Sequence, residues 1–419
     1  MCVLNASRRR IGGYRWLVCS LVLVFALMSI PVAMAARCTL QVYLAETTAP
    51  YVAYVKEDAV TKFEARYPDV KIDLQLGNWG VDSIAVRYAG GAAPDVIQLG
   101  SGIASYDGML LPLDSYTRNW RRDLADFPQG AIEAVTMRGD LLAIPFVVAS
   151  RTLTYRKSFF ADSGLDPDRP PATWDELVEY GKRLVRFNGE GAMIRQGFET
   201  SSHFHDYSPF LFQAGGDYMS EDLTRIIFAE NPGMEALEYM SNLFHVAHIS
   251  AKGGGEFKKG QAAITYASQT YISPMYQSAS VPNEDIGVAL PLKHRRQTQL
   301  LLPNSWAIIN TTPYPQEAWD WIAHASSSES AISAGRATGV AAPRRSVLGY
   351  APWNTDPRWK ITFEAMSMAM PAPMKSPHFD DMRKMFVTPG LDKVLYEQAP
   401  LAIWKDMQRQ AQAWLSDLL

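Results

Sequence analysis

The fold of this chain is decided by the stretch Gly90-Gly91-Ala92-Ala93-Pro94-Asp95-Val96-Ile97-Gln98-Leu99. Its two glycines leave the backbone free to turn, and Pro94 ends the helix predicted before it. The run Val96–Leu99 is short and apolar, as a buried parallel strand is. A small-residue turn that opens a buried strand is what a βαβ unit needs where its sheet ends in a cleft.

The residues before this turn predict alternating strands and helices. Residues 40–44 are strand-like, and apolar residues fall at helical spacing from Val52 to Phe63. Residues 70–76 alternate as a strand does, and residues 81–89 predict a second helix. Strand, helix, strand, helix, strand indicates a parallel α/β layer.

The residues after the turn continue the same alternation beyond the size of one domain. Residues 141–146 resemble a strand interrupted by Pro145, which belongs at a sheet edge or at a crossing between domains. Thr173 and Glu176 form a capping box at a helix start. The remaining predicted elements are strands at 151–156, 262–266, 286–290 and 305–310, a helix capped by Asn231, and a helix at 315–325. The absence of a flexible linker favours two lobes that exchange segments.

Composition and charge bound the function. The 419 residues suggest two or three domains, and the net charge of −3 offers no electrostatic case for nucleic acid. Residues 1–36 predict a cleavable signal peptide, so the chain is expected to be periplasmic or otherwise extracytoplasmic. Its features are Arg8, Arg9, Arg10 and Arg15, an apolar run at residues 16–30, and Ala33-Met34-Ala35 at the cleavage positions. The apolar run is shorter than the ~20 residues of a spanning helix.

Cys38 is the only cysteine of the predicted mature chain, because Cys2 and Cys19 lie in the leader. No internal disulfide is therefore expected. Arg37 stands where lipid attachment requires a small residue, so we expect Cys38 to be unmodified and no lipoprotein anchor to be present.

Several motifs together resemble the family 1 extracellular solute-binding proteins, the periplasmic components of bacterial ABC importers. The most specific motif is Pro171-Ala172-Thr173-Trp174-Asp175-Glu176-Leu177. The others, in chain order, lie at residues 91–96, 108–114, 143–145, 155–159, 260–263 and 303–308. Three residues depart from the family pattern: Asn304 and Ser305 replace two glycines, and Arg156 replaces an asparagine. These departures leave the ligand open.

The resemblance implies an α/β fold of two lobes, the type II-like periplasmic-binding-protein fold. Each lobe is expected to be a mostly parallel sheet flanked by helices, with crossover strands joining the two. We assign residues 37–147 and 291–345 to the N-terminal lobe, and residues 148–290 and 346–419 to the C-terminal lobe. The resemblance also implies ligand capture by hinge closure, and a carbohydrate or related polyol as ligand.

Ligand-binding candidates come from loops that follow predicted strands, because ligands of this fold class sit where strand ends meet the cleft. A sugar needs polar groups for its hydroxyls and an aromatic plate for its ring faces. The candidates are Glu46, Asn78, Trp79, Ser101, Gly102, His205, Tyr266, Trp306, Arg336, Arg344 and Trp353. For Trp306 a place in the core is a nearly equal alternative.

No signature of an enzyme or a cofactor is present. The sequence lacks a G-x-S-x-G elbow, a P-loop and a G-x-G-x-x-G turn. The pairs His203/His205 and His245/His248 lack further ligands at metal-binding spacing. We therefore predict a monomeric binding component of an importer, with permease subunits as partners and without cofactor, metal or nucleic acid. The alternatives are a secreted carbohydrate-active hydrolase and a binding protein for a non-sugar ligand such as a glycerophosphodiester.

Overall fold

The computed structural model describes residues 37–100, 102–273, 278–371 and 376–419. The predicted signal peptide and the candidate Ser101 lie outside these ranges. Within them, strands and helices alternate along the whole chain. A search of these residues finds no helix with the length and apolar character needed to cross a bilayer.

The strands in chain order are β1 (Cys38–Leu44), β2 (Val70–Leu76), β3 (Val96–Leu99), β4 (Thr136–Met137), β5 (Asp140–Leu141), β6 (Ile144–Arg156), β7 (Arg186–Phe187), β8 (Met193–Glu199), β9 (Ala262–Ser268), β10 (Ile286–Ala289), β11 (Leu300–Ile308) and β12 (Met370–Pro371).

The helices in chain order are α1 (Ala49–Tyr54), α2 (Val60–Arg66), α3 (Val81–Ala89), α4 (Arg121–Leu124), α5 (Gln129–Glu133), α6 (Lys157–Asp162), α7 (Trp174–Leu184), α8 (Phe204–Gln213), α9 (Asn231–His245), α10 (Pro315–Ala325), α11 (Ser328–Thr338), α12 (Pro357–Met368), α13 (Phe379–Met382), α14 (Thr388–Leu395) and α15 (Ala402–Ser416). A π-helical stretch, Val55–Ala59, joins α1 to α2 without a break.

Helix starts follow the local sequence closely. At the start of α7 the Glu176 amide donates to Thr173 Oγ1 (3.2 Å), which confirms the predicted cap. The Glu176 carboxylate accepts from the Ala172 amide (2.8 Å), one residue earlier than a standard capping box. The predicted cap of α9 was wrong by one residue, because Asn231 is the first residue of the helix and Glu230 occupies the N-cap position, where its side chain makes no capping hydrogen bond.

Among the described residues, one hydrogen-bonded sheet runs in the order β2-β1-β3-β11-β6-β9-β8-β7. β1 pairs in parallel with both β2 and β3, as predicted, and β8 pairs in parallel with β9. β11 pairs antiparallel with both β3 and β6, and β6 pairs antiparallel with β9. Each half of the sheet is therefore mixed, because the strands that carry the chain between the halves enter both.

The strand β6 crosses from one half of the molecule to the other. Ile144 pairs with Trp306 of β11, whereas Arg151 pairs with Ser268 of β9. The sequence predicted two strands here, and the structure joins them into one of 13 residues. Pro145 lies beside a register shift in this strand, where a missing amide donor is tolerated. The crossing predicted from Pro145 is therefore present.

Two large hydrophobic cores lie on either side of this crossing. The first core contains Leu40, Ile97 and Trp321, and the second contains Phe198 and Trp404, all of them buried. We call the half around the first core the first lobe and the other half the second lobe. β11 contributes Leu300 to the second core and Trp306 to the first. The lobe boundaries assigned from the sequence stay a prediction.

Candidate functional site

Three parallel strands of the first lobe end at one edge of the sheet. Leu44 of β1 pairs with Leu76 of β2, so these two strands end level with each other. Glu46 follows β1, Trp79 follows β2 and Gly100 follows β3. The chain leaves β1 toward β2 on one side, while β3 lies on the other side. Ligands of open α/β sheets bind at such a reversal of strand order.

Gln98 fixes the turn that follows β1. Its Oε1 accepts from the amides of Ala45 (3.0 Å) and Glu46 (2.9 Å), and its Nε2 donates to the Tyr51 hydroxyl (2.8 Å). The side chain is buried, so these bonds satisfy groups that water does not reach. Gln98 therefore holds Glu46 at the strand edge, a positioning role that the sequence did not reveal.

A cavity of about 310 Å³ lies between the two lobes at this edge. We call it the cleft pocket. The first lobe lines it with Trp79, Gly80, Val81, Gly100, Gly102, Ser105 and Tyr106, and the second lobe lines it with His203, Phe204, His205, Ser376, Phe379, Asp380 and Arg383. Because both lobes contribute walls, a molecule bound here would contact both.

Trp79 offers an aromatic surface on the first-lobe wall. Its residue surface is 42% exposed, which is unusual for an indole in a globular protein. A Cβ added to Gly100 would lie 3.8 Å from Trp79 Cε3, so the indole packs directly beside the Gly100 backbone. The exposed ring face suits stacking against the C–H face of a sugar or another flat ligand.

The second-lobe wall is built at the start of α8. The His203 ring caps this helix, with Nδ1 accepting from the His205 amide (3.3 Å). Asp206 forms an ion pair with Arg151 of β6 and accepts from Ser201 Oγ (2.5 Å). Arg383 Nε pairs with Asp380 Oδ1 (2.8 Å). The wall therefore presents imidazole, guanidinium and carboxylate groups at fixed positions.

The electrostatics of this wall keep His205 neutral. Burial, followed by the positive charges of Arg151 and Arg383 and the neighbouring His203 imidazole, lowers the pKa of His205 to about 3. Burial also lowers the pKa of His203. A neutral imidazole carries one donor and one acceptor, so His205 is suited to a hydroxyl-bearing ligand.

We expect His205 to reduce stability at acid pH. The pKa of His205 in the folded state, about 3, lies below its ordinary value of 6.5, so the unfolded chain binds the proton more readily. Its contribution to the free energy of unfolding is complete above about pH 6.5 and falls as the pH drops toward 3. Urea unfolding from pH 8 to pH 4 should show a shallower pH dependence for His205→Gln than for the wild type. Superimposable pH profiles would contradict the neutral assignment.

A second cavity, of about 540 Å³, lies beside the crossing strand β6. We call it the hinge pocket. Its walls include Glu46, Tyr51, Phe127 and the stretch Pro145 to Val148 on the first-lobe side, Ser268 and Gln269 at the end of β9, and the face of α11 with the residues that follow it. It shares no lining residue with the cleft pocket.

The structure brings five of the predicted site residues to these two cavities. Trp79, Gly102 and His205 line the cleft pocket, and Glu46 and Arg344 line the hinge pocket. Asn78 lies on an exposed loop, where its backbone amide donates to the Tyr43 hydroxyl (2.9 Å). The positions of Glu46, Trp79, Gly102 and His205 are consistent with ligand-binding roles, which stay predictions.

Three predicted aromatic candidates lie in the cores, and a direct ligand role does not fit their positions. Trp306 is 1% exposed and packs against Phe146 and Trp321. Trp353 is 2% exposed and packs in a smaller cluster with Val347 and Trp359. Tyr266 is buried as well. Burying a large aromatic side chain in a packed core stabilises a protein more than leaving it at a solvated cleft. Residue type alone therefore does not tell a core aromatic from one that stacks on a ligand.

Tyr266 has a different role in the second core. Its hydroxyl accepts from Gln213 Nε2 (3.0 Å) and from the Leu292 amide (3.1 Å). Burial raises the pKa of this hydroxyl to about 12. Tyr266 therefore satisfies buried donors of its own lobe and does not face the cleft pocket.

The two arginines among the ligand-binding candidates also differ from the expectation. Arg336 is exposed on α11 and lines neither cavity. Arg344 is 2% exposed, with Nε on Asp126 Oδ2 (2.8 Å) and Nη2 on Asp123 Oδ1 (2.6 Å). Its third nitrogen donates to the Ser326 carbonyl (2.6 Å). These partners occupy the guanidinium, so Arg344 is a structural cation in the wall of the hinge pocket.

Three residues in or beside the site, Arg151, Asp380 and Arg383, escaped the sequence analysis. Arg151 and Asp206 join β6 to α8, whereas Asp380 and Arg383 come from a C-terminal segment far away in sequence. Nothing in the local pattern marks the second pair, because only the tertiary fold brings α13 to the cleft.

One histidine of each pair considered from the sequence for metal binding has an ordinary protein partner. His245 Nε2 lies 3.0 Å from the Val394 carbonyl oxygen, and the His203 ring caps α8. Within residues 37–100, 102–273, 278–371 and 376–419, no group of three or more His, Cys, Asp or Glu side chains is arranged to hold a metal ion.

Comparison with known protein families gives a match over most of the chain. The model of the bacterial extracellular solute-binding protein family matches residues 44–332. The chain belongs to this family. The solute-binding family is extracytoplasmic by its description, and the matched segment includes the first-lobe edge, the crossing strand β6 and the start of α8.

Curated relatives of this solute-binding chain are similar over parts of their length. An arabinooligosaccharide-binding protein of Halalkalibacterium halodurans is 22% identical over 52% of this chain and 49% of the relative. The sn-glycerol-3-phosphate-binding periplasmic protein UgpB of Salmonella typhimurium is 46% identical over 34% of each chain. The chain spans at most about half the length of these relatives.

Solved structures of solute-binding proteins share the two-lobed fold. The sugar-binding protein MalE of Xanthomonas citri superimposes with a TM-score of 0.79 at 18% identity, over 91% of this chain and 98% of that one. UgpB of Mycobacterium tuberculosis in complex with glycerophosphocholine gives a TM-score of 0.73 at 18% identity, over 91% and 99%. These likenesses confirm the predicted periplasmic-binding-protein fold.

Proposed function

We propose that this solute-binding protein captures a carbohydrate or related polyol in the cleft between its lobes and delivers it to the permease of an ABC importer. The observation that carries the proposal is the cleft pocket, whose walls come from both lobes. Trp79 provides a stacking surface on one side, and His205 provides a neutral donor and acceptor on the other. This combination of groups matches the ring faces and hydroxyls of a sugar.

The relatives support the ligand class. They include proteins named for binding an arabinooligosaccharide and sn-glycerol 3-phosphate, and the structural neighbours include complexes with tagatose and with maltotetraose. A glycerophosphodiester is the second candidate, because the Arg383 guanidinium lines the cleft pocket and the positive charge of Arg151 acts on the neighbouring His205. Asp206 and Asp380 partly neutralise these arginines, which favours the uncharged ligand.

The proposed mechanism is closure of the two lobes around the ligand. A ligand that contacts only one lobe gains nothing from closure, whereas a ligand that touches Trp79 and His205 together stabilises the closed form. β6 and β11 connect the lobes, so bending within them would change the cleft without disturbing either core. The closed form is the state that a permease would recognise.

A thermal-shift screen across sugars, polyols, glycerophosphodiesters and amino acids tests the ligand class. A ligand present at a hundredfold excess over its dissociation constant should stabilise the protein by about 2.7 kcal/mol. Stabilisation by sugars or polyols supports the proposal, and stabilisation by glycerophosphodiesters alone favours the second candidate. A response to amino acids alone would overturn both.

Closure itself has a separate readout. With a saturating ligand from the screen, small-angle X-ray scattering should show a smaller radius of gyration than without ligand, because the lobes approach each other. If the screen finds an amino acid that stabilises the protein, the same scattering measurement with that amino acid shows whether the lobes also close around a different ligand. An unchanged radius of gyration at saturation would count against the hinge mechanism.

We further propose that the protein makes and breaks no bond, acts as a monomer, and reaches the extracytoplasmic space after cleavage of residues 1–36. Incubating it with the oligosaccharides that it binds, followed by chromatography, tests for turnover. Products that accumulate in proportion to protein concentration would replace the binding role with that of a hydrolase.

A further inference from the structure

Three arginines of the second lobe converge on the turn that follows α6. Arg183 lies in the last turn of α7, while Arg186 of β7 and Arg195 of β8 pair directly across their hairpin. Arg183 Nη2 donates to the Ser163 carbonyl (3.0 Å). Arg186 Nη2 donates to the Ser163 hydroxyl oxygen (2.8 Å), and Arg195 Nη2 lies 3.5 Å from the same oxygen. We call these four residues the arginine cluster.

Neutral groups hold the cluster in place. Arg195 Nε donates to the Leu184 carbonyl (2.8 Å), and Arg186 Nη1 donates to the Val185 carbonyl (2.8 Å). Both bonds satisfy carbonyls at the C-terminal end of α7. The Arg195 guanidinium also lies 4.3 Å from the centre of the Phe159 ring. These contacts fix the side chains in space but place no negative charge beside them.

The positive charge of the cluster is not neutralised at contact distance. Within the part of the chain that the structure describes, no carboxylate lies at ion-pair distance from its three guanidinium groups, whereas the neighbouring Arg156 pairs with Asp285. Asp162 acts on Arg195 from farther away and raises its pKa. Burial, followed by the charge of Arg186, outweighs this effect and lowers the pKa of Arg195.

The cluster has hydrogen-bond donors left for a ligand. A guanidinium carries five N–H donors, and Arg195 engages its Nε and Nη2 atoms but not Nη1 among the described residues. Arg183 bonds through Nη2, to the carbonyls of Ser163 and Gly164. The Ser163 hydroxyl accepts from Arg186 and donates to no group in the described ranges, so its own proton is available. Guanidinium groups and a hydroxyl around one point match the oxygens of a phosphate-type anion.

The cluster lies at the end of β8 that is away from the cleft pocket. Arg195 stands near the start of β8, whereas the strand ends at Glu199 and the chain then reaches His203 of the second-lobe wall. Arg183 is exposed and Ser163 is half-buried, so an ion can approach them from solvent. The cluster lines neither the cleft pocket nor the hinge pocket. An anion bound here would be separate from the ligand of the proposed function.

We propose that the arginine cluster is a second binding site, for a phosphate-type oxyanion, outside the cleft between the lobes. The anion accepts from the three guanidinium groups and from the Ser163 hydroxyl, and its charge relieves the repulsion among the cations. Its source is either a free phosphate ion or the phosphate of an anionic lipid headgroup, which presents the same kind of oxygens. The site does not depend on which ligand the cleft takes.

Two probes separate these sources. Inorganic phosphate at pH 7, added at constant ionic strength against sodium chloride, should raise the thermal midpoint of unfolding and give a binding isotherm in isothermal titration. Co-sedimentation with vesicles of phosphatidylglycerol and phosphatidylcholine, compared with vesicles of phosphatidylcholine alone, tests the headgroup. Binding of either probe supports the site and identifies its source. Binding of neither probe would overturn the inference.

A charge-removing variant decides whether the anion binds at the cluster. Arg186→Gln removes one converging charge and should weaken the binding of whichever probe binds by at least about fivefold. Arg336→Gln, exposed on α11, removes the same charge elsewhere and is the matched control, with binding unchanged. An equal loss in both variants would contradict the inference, because the net charge of the protein and not the cluster would then attract the anion.

A second variant supplies the missing negative charge within the chain itself. Ser163→Asp places a carboxylate among the three guanidinium groups, so it should raise the thermal midpoint in phosphate-free buffer and abolish the binding of both probes. Ser163→Asn has the same size without the charge and should not raise the midpoint. A lower midpoint for Ser163→Asp than for Ser163→Asn, or probe binding that survives both Arg186→Gln and Ser163→Asp, would overturn the inference. Neither result would affect the ligand binding proposed for the cleft.

Discussion

Replacing Trp79 by alanine should weaken the binding of a carbohydrate ligand by roughly thirtyfold, equivalent to about 2 kcal/mol. The indole is 42% exposed at the cleft, so its face is available to a ligand in the open protein. The same exposure means that little core packing is lost, and the free energy of unfolding should change by less than about 0.5 kcal/mol. Isothermal titration and urea unfolding measure the two quantities.

Two further variants make the test of Trp79 specific. Trp79→Phe keeps an aromatic face and should recover part of the lost affinity. Leu76→Ala, at the exposed end of β2 just before the Trp79 loop, is the matched control for removing apolar surface and should leave affinity unchanged. Equal losses of affinity in Trp79→Ala and Leu76→Ala would argue that the indole does not contact the ligand.

Replacing Arg344 by methionine should lower the free energy of unfolding by about 3–5 kcal/mol, because it removes the cation from a buried ion-pair network. Asp126 would then lose the Arg344 guanidinium at 2.8 Å and keep only the amide and hydroxyl of Ser346. Asp123 would lose its contact at 2.6 Å. Urea denaturation at pH 7 measures the change.

The result separates a structural cation from a ligand clamp. Adding Asp126→Asn to Arg344→Met should recover part of the loss, because the uncompensated charge is removed. Arg336→Met, on the exposed face of α11, should leave stability within about 0.5 kcal/mol of the wild type. A loss of ligand affinity in Arg344→Met without a loss of stability would restore the ligand-binding role that the sequence suggested.

The element pattern of the first lobe could be predicted because its signals are local. Each βαβ element between Cys38 and Leu99 has its own periodicity, and Pro94 and Thr173 mark boundaries through the backbone itself. The joining of residues 141–146 and 151–156 into one strand was missed, because the intervening residues carry no alternation. Their pairing with β11 and β9, not their own sequence, extends the strand.

The site could be predicted only where a loop follows a strand. Trp79 and Gly102 sit directly after β2 and β3, so strand order alone brings them to the cleft. Trp306 and Trp353 are also tryptophans, but they lie in hydrophobic cores and not at the cleft. Core packing and ligand stacking both favour an indole, so residue type does not tell the two positions apart. Arg383 was missed for the opposite reason: its contact with the cleft depends on how the C-terminal helices pack on the second lobe.

The place of β11 in the sheet constrains how the protein is made. This strand lies between β3 and β6 in the first lobe, yet it is encoded after most of the second lobe. A ribosome that has reached residue 290 has produced every other long strand of the first lobe, but their shared neighbour is still untranslated. The sheet of the first lobe therefore remains incomplete until Ile308 has been added. A truncation before β11 keeps β1, β2, β3 and β6 but removes the strand that lies between β3 and β6.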